Sequence, residues 1–139
     1  MIKRLFYILY FVIQCTWGFL QTLIVFFFFI AHIRCPHNFY RGCIETHWNS
    51  KYSGLCLGLF IFTPQINHNA VRVHEYGHTF QSLVLGPLYV LPGIVSICWG
   101  RMSYFERKRK EEKLPYTTCF VEWQASKIGE LVTGEKAVW

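Results

Sequence analysis

Residues 71–81 read VRVHEYGHTFQ, with His74 and His78 four positions apart and Glu75 directly after the first histidine. On a helix, positions i and i+4 share a face, so the two imidazoles converge on one point, as a tetrahedral zinc ion requires. Glu75 is rotated off that face by one residue. It is not a ligand, yet it reaches a water at an open metal position, which is the place of the general base in the H-E-x-x-H pattern. A catalytic zinc site wants one more protein ligand. The downstream carboxylates are Glu106, Glu111, Glu112, Glu122, Glu130 and Glu135. Glu122 fits best, because its setting, CFVEWQAS, is apolar and aromatic, and a carboxylate buried there is costly unless something coordinates it. Ala125, three residues on, leaves room for close approach to the motif helix. Glu130 lies two turns beyond Glu122 and so on a similar face, but it follows Lys127 and Gly129 near the helix end and can stay hydrated.

The elements that must position these groups follow from pattern and punctuation. The run SGLCLGLFIFT at 53–63 alternates and reads as a short strand, or hairpin, closed by Pro64. Asn67 or Asn69 can cap a helix over about 70–85 that carries HEYGH and ends at Gly86-Pro87. The next apolar run, LYVLPGIVSICWG, is too short and too broken at Pro92-Gly93 for a span, and fits a re-entrant or interfacial segment. A charged loop follows, and then a ligand helix over 116–133, with Thr117 or Thr118 as cap and Gly134 beyond its end. Residues 32–52, rich in His, Asn, Gly and aromatics, show no clear period and read as loop.

Composition places this apparatus at a membrane. The chain has 139 residues, room for one catalytic domain, yet it is 53% hydrophobic and 19% aromatic, too apolar for an ordinary soluble domain of that size. The run from Leu5 to Ala31 carries no charge and is long enough to cross a hydrocarbon core as one helix. It is too long for the apolar core of a signal peptide, although Lys3 and Arg4 would suit one. The chain therefore divides into a transmembrane helix at 1–31 and a membrane-associated domain at 32–139. Gln14, Thr16, Gln21 and Thr22 interrupt the run at near-helical spacing, a polar stripe expected to pack on protein and not on lipid. The net charge of +6 is concentrated, since Arg101 to Lys113 holds six basic and three acidic residues directly after an apolar segment. That is a place where cations meet anionic headgroups, and a solvated charged loop fits it equally; no binding motif supports nucleic acid as a partner. Of six cysteines, only Cys35 and Cys43 are placed to pair, and with His32, His37 and His47 they match no standard zinc module.

HEYGH with a glutamate in a later Glu-x-x-Ala helix resembles the HExxH zinc metallopeptidases whose third ligand is glutamate, the gluzincin pattern. The stretch from SGLCLGLFIF through HEYGHTFQSLVLGPLYVLPGIVSICWG to FVEWQASKIGELVTGEK is similar to small, uncharacterised bacterial membrane proteins built around H-E-Y-G-H-T-x-Q-S and a later Y-T-E-x-x-A-N-x-L-G. The resemblance covers roughly residues 53–136. It implies a mainly α, membrane-embedded metallopeptidase of the bacterial inner membrane, with zinc on His74, His78 and Glu122, Glu75 as base, and a peptide or protein substrate. The sequence departs from the second motif at Val121, where threonine is usual, and at Ser126, where asparagine or aspartate is usual. A residue at 126 can orient a ligand histidine, and serine has the shorter reach.

The chemistry expected of such a site is peptide-bond hydrolysis by a metal-activated water, with an extended substrate pairing along residues 55–61 as an added edge strand. Tyr76, Tyr104, Tyr116, His47 and His68 are the candidate oxyanion donors. Two other classes stay open on sequence alone. One is a zinc-stabilised membrane protein without catalysis; the other is a metal-free membrane scaffold in which HEYGH is a polar stripe inside a helix bundle.

Overall fold

The computed structural model describes residues 2–139. Met1 and the side chain of Lys3 lie outside that description, so of the basic N-terminal pair only Arg4 is described in full. The long uncharged run does not form one helix. It forms α1 (Ile2–Thr16) and α2 (Phe19–Ala31), bent by 92° at Trp17-Gly18. At 1.5 Å per residue these are about 22 and about 20 Å long, each short of a hydrocarbon core of about 30 Å. Local chemistry makes the bend. The Gly18 N–H reaches back to Ile13 O at 3.1 Å, a π-type bond of the kind that kinks helices. Thr22 Oγ1 then donates to Gln14 O at 2.9 Å, a contact between positions about 12 Å apart on a straight helix. A Cβ on Gly18 would overlap the Gln14 side chain, so a larger residue at the corner would displace that amide.

Gln14 and Gln21 turn inward as the stripe predicts. Gln14 Nε2 donates to Thr79 O at 2.9 Å, and Gln21 Nε2 donates to Ser82 Oγ at 2.9 Å and Gly86 O at 2.8 Å. Thr22 is half-buried beside them, whereas Thr16 is exposed and bonds back to Val12 O of its own helix at 2.8 Å.

Residues 32–52, expected as loop, hold a hairpin of β1 (His37–Tyr40) and β2 (Cys43–His47). Its two-residue turn puts Arg41 and Gly42 at φ 49° and 97°, the paired left-handed conformation that tight hairpins require. Cys35 and Cys43 are both free thiols, and Cys43 is buried with its Sγ 3.1 Å from the Tyr10 hydroxyl. The alternating run 53–63 is likewise a hairpin and not one strand. β3 (Leu55–Leu57) and β4 (Phe60–Thr63) turn at Gly58, whose φ is 57° and whose missing Cβ admits Thr22. The sheet order is β1-β2-β4-β3, with β2 and β4 parallel, which leaves β3 at an edge. Aromatic rings of α2 cover β4: Phe60 packs on Phe26 and Phe29, and Phe62 on Phe28.

The motif helix is α3 (His68–Leu85), entered through Asn67 at φ 56°, which makes no side-chain cap bond. Gly86 at φ 53° ends it, a turn of 3-10 helix covers Gly86–Tyr89, and α4 (Val90–Arg101) follows. By length and composition the helical run His68–Arg101 is long and apolar enough to cross a membrane. It is not straight, however. The rings of His78 and Tyr89 are 6.5 Å apart, where a straight helix would separate those positions by about 16 Å along its axis. His74 and Gly100 line one cavity of about 350 Å3, where a straight helix would separate them by about 39 Å. The chain reverses at Gly86–Tyr89, and the run 88–100 forms the returning limb. Next comes α5 (Ser103–Glu112), helical where a charged loop was expected. A 3-10 turn at Tyr116–Thr118 precedes α6 (Phe120–Thr133); Cys119, not Thr117 or Thr118, precedes its first turn, and Gly134 at φ 75° closes it. The fold is thus mainly helical, with the His-Glu…His pattern on α3 and Glu122 on α6.

Candidate metal centre

The centre exists because α3 and α6 cross in close contact. A Cβ on Gly77 would overlap the Ala125 backbone carbonyl, and one on Gly129 would overlap that of Val73, so small residues on both helices let the backbones touch. Ala125 is fully buried at this crossing. The crossing drives Glu122 between the two histidines. His74 Nε2 lies 3.0 Å and His78 Nε2 3.3 Å from Glu122 Oε2, and the two imidazoles stand at 88° to each other. One ligand atom from each of the three residues falls within 4.8 Å of the others, and all three residues are buried. This is a His/His/Glu cluster able to coordinate a metal ion.

The partners of the far nitrogens decide which tautomer each histidine presents. Gln81 Nε2 donates to Val121 O at 2.9 Å and Gln124 Oε1 at 3.0 Å. That orients the amide so that its oxygen faces His78 Nδ1 at 2.8 Å, and an acceptor there requires Nδ1–H. Ser126 Oγ spends its one proton on Val138 O at 2.7 Å and therefore accepts from His74 Nδ1–H at 2.8 Å. Both Nε2 lone pairs consequently face a carboxylate oxygen. Three acceptors turned on one another need a cation among them, and a histidine whose Nδ1–H is held by an oxygen is the usual arrangement around zinc. A second sign is Glu122 Oε1, which is buried without a hydrogen-bond partner. A carboxylate oxygen orphaned in that way is expensive, and coordination would relieve it. The residues present fit a zinc ion.

Glu75 lies beside this cluster and outside it, lining the same cavity. Its carboxylate rests against Gly54, where a Cβ would overlap it, at the start of edge strand β3. Leu55 and Cys56 of β3, Ser96, Gly100 and Arg101 of α4, and Tyr116 complete much of the wall. Of the five oxyanion candidates only Tyr116 lines this cavity. Its ring is 6.3 Å from that of His74, and burial first, with the Glu122 and Glu75 charges, pushes its phenol up, so the hydroxyl stays a donor. Arg109 of α5 stacks 5.4 Å from the Tyr116 ring centre and donates to Trp99 O, and Trp99 Nε1 bonds Tyr116 O at 2.7 Å. Tyr76 instead donates to Arg41 O, Tyr104 is exposed, and His47 and His68 line a separate cavity.

The competing glutamates are elsewhere. Glu130 Oε1 accepts from Ala137 N at 3.1 Å and Trp139 Nε1 at 3.0 Å, tying the 135–139 segment to α6. Glu135 bridges Arg41 and Arg72, and Glu106 pairs with Lys110. Gln81 escaped the sequence reading although it stands three residues after His78, on the same helical face. Ser126 reaches His74 despite its short side chain, because the crossing brings the backbones into contact. No family profile, curated protein or solved structure matches the chain. The functional reading rests on the geometry of the site.

Proposed function

We propose that this chain is a membrane-bound zinc-dependent peptidase. The observation that carries the reading is the convergence of two Nδ1–H histidines and a partly orphaned, buried carboxylate on one point, with a further carboxylate free beside them. His74, His78 and Glu122 would hold the zinc. When bound, zinc supplies Lewis acidity that acidifies water toward neutral pH and polarises a carbonyl.

The chain's own groups do the rest. Glu75 takes a proton from the attacking water and delivers it to the leaving amine, a role suited to a carboxylate that among the described residues has no hydrogen-bond or ion-pair partner. Tyr116 donates its hydroxyl proton to the developing oxyanion. The edge strand β3 offers unpaired backbone groups along the cavity wall, so an extended peptide docks as an added strand. The membrane part of the reading rests on an inside-out surface. Gln14 and Gln21 are 0% exposed while Leu5, Ile8 and Leu9 on the same N-terminal run are 66, 61 and 55% exposed. Water would favour the reverse arrangement. With the resemblance to bacterial membrane proteins, this supports an integral protein of the inner membrane.

Replacing Glu75 with Gln tests the chemistry. The variant should fold and bind zinc like the parent, and hydrolysis of a casein or peptide-library substrate should fall by several orders of magnitude. Activity that survives in E75Q would remove Glu75 as the base.

A further inference from the structure

Two long uncharged runs of the chain are helical, and each is folded near its middle. No Asp, Glu, Lys or Arg occurs from Leu5 to Ile33 or from Tyr76 to Gly100. The first run bends at Trp17-Gly18 and the second reverses at Gly86–Tyr89. The two corners touch. The Trp17 ring lies where a Cβ on Gly86 would be, and Gln21 donates to Gly86 O at 2.8 Å. Around the joined corners the exposed side chains are apolar, among them Phe19, Val84, Leu88 and Leu91. The charged groups gather away from them. Arg41, Arg72 and Glu135 form one ionic cluster beside the N-terminal half of α3, and Tyr76 one turn further along donates to Arg41 O. Beyond α4, Arg107, Lys108 and Lys110 are exposed on α5.

We infer that the chain enters the bilayer from one side only, its two corners forming a tip sunk in the hydrocarbon, and that the metal site and α5 stay at the headgroups of that same side. This rests on the membrane reading given above and goes beyond it. A conventional span would need a straight apolar helix of about 20 residues. α1, α2 and α4 have 15, 13 and 12 residues, so each reaches only about 18–22 Å. The two limbs of each run turn away from a straight path, one through 92° and the other back toward the cavity, which suits re-entrant limbs. The end of α4 fixes the depth. Ile94, Val95 and Ile97 are exposed apolar residues; about one turn later the chain reaches Arg101, and the cations of α5 follow from Arg107 on. That step from apolar to cationic surface matches the step from acyl chain to anionic headgroup. Ser96, Gly100 and Arg101, at the step itself, line the cavity of His74 and Glu75. A second copy of this chain would not replace the bilayer here, because exposed apolar faces on helices at 92° to one another do not lie in one flat interface.

Single cysteines placed at Arg4, Lys51, Lys110 and Lys136, in a full-length background whose native cysteines are changed to serine or alanine, test the arrangement. Sealed membrane vesicles of one orientation are treated with a membrane-impermeant maleimide before and after permeabilisation, and each variant's zinc content is checked to confirm folding. The inference expects all four positions to label from the same side, with the protein retained in the pellet after alkaline carbonate. Retention with Arg4 or Lys51 labelled from the side opposite to Lys110 overturns the one-sided arrangement and leaves the membrane reading intact. Recovery of the chain in the carbonate supernatant, as monomer or oligomer, overturns both.

Discussion

Substituting Gln81 by Leu isolates the link between helix chemistry and metal binding, because Gln81 touches His78 and not the metal position. The substitution keeps an apolar side chain of similar length and removes the oxygen 2.8 Å from His78 Nδ1. With zinc on Nε2, Nδ1 must carry its proton, and that proton would then face no acceptor in a buried site. An unsatisfied buried donor costs about 1–3 kcal/mol. Without metal the cost is avoided, since His78 can place its proton on Nε2, 3.3 Å from Glu122 Oε2. The penalty therefore falls on the metal-bound state alone, and zinc affinity should drop by roughly 5- to 150-fold at about 1.4 kcal/mol per decade. The Val121 carbonyl and Gln124 amide also lose a partner, but in both states, so they lower stability and not affinity. Competition against a chromophoric chelator measures the affinity, with circular dichroism confirming the fold. Gln81→Glu, which restores an acceptor opposite Nδ1, should recover most of the loss. A folded Q81L protein that binds zinc within threefold of the parent would refute the tautomer argument.

Three further outcomes follow from the same geometry. Glu122→Ala should lower zinc affinity by more than the ~10–100-fold expected of an outer partner, whereas Glu130→Ala should change it less and instead quicken amide exchange at Ala137; chelator competition and hydrogen exchange read the two. Glu130 is held below the ordinary carboxylate range by hydrogen bonds from the Trp139 indole and then the Ala137 amide. Its hold on the 135–139 segment is thus complete above pH about 4.5 and lost as pH falls through the depressed value, so Ala137 exchange, corrected for its intrinsic pH dependence, should gain protection between those limits. Gly77→Ala should destabilise the fold by about 1–3 kcal/mol or more and release zinc, because the added methyl meets a backbone carbonyl and cannot be accommodated by a rotamer change; a thermal melt and metal content would show it.

The site was legible where residue type and helical phase act locally. His74 and His78 share a face by spacing alone, and Glu122 was separable from Glu130 by its apolar sequence setting, although the α3–α6 crossing, and not the exposed Phe120 and Trp123, is what buries it. The tertiary bonds were not legible. Nothing in an uncharged run says that Gly18 will be a corner, because the local bonds that shape it are backed by bonds from Gln14 and Gln21 to residues over 60 positions away. Of the two readings of 53–63, strand or hairpin, the pattern alone could not choose the hairpin for a related reason. The alternation of leucines continues through Gly58, and only its positive φ and the approach of Thr22 show a turn there. The first hairpin was hidden by Glu45 and Thr46, polar residues buried in β2 by contacts with Thr63, Arg72 and His37. Its one local sign was Arg41-Gly42 between Tyr40 and Cys43.

The seam between α1, α2 and α3 also has a consequence for biogenesis. Gln14 and Gln21 find their acceptors on Thr79, Ser82 and Gly86, each later in the chain by 61 residues or more. At roughly 5–20 residues per second, the N-terminal run exists for roughly 3–13 s before those acceptors have been synthesised. On the membrane reading proposed above, it offers an insertion machinery during that interval an apolar stretch with two bare amides that looks like an ordinary spanning segment. The bonds that pin the bend to the rest of the fold form only when the helix bearing the histidines arrives. The N-terminal run and the histidine-bearing helix therefore complete their packing as one unit, and a defect that delays the second leaves the amides of the first without partners.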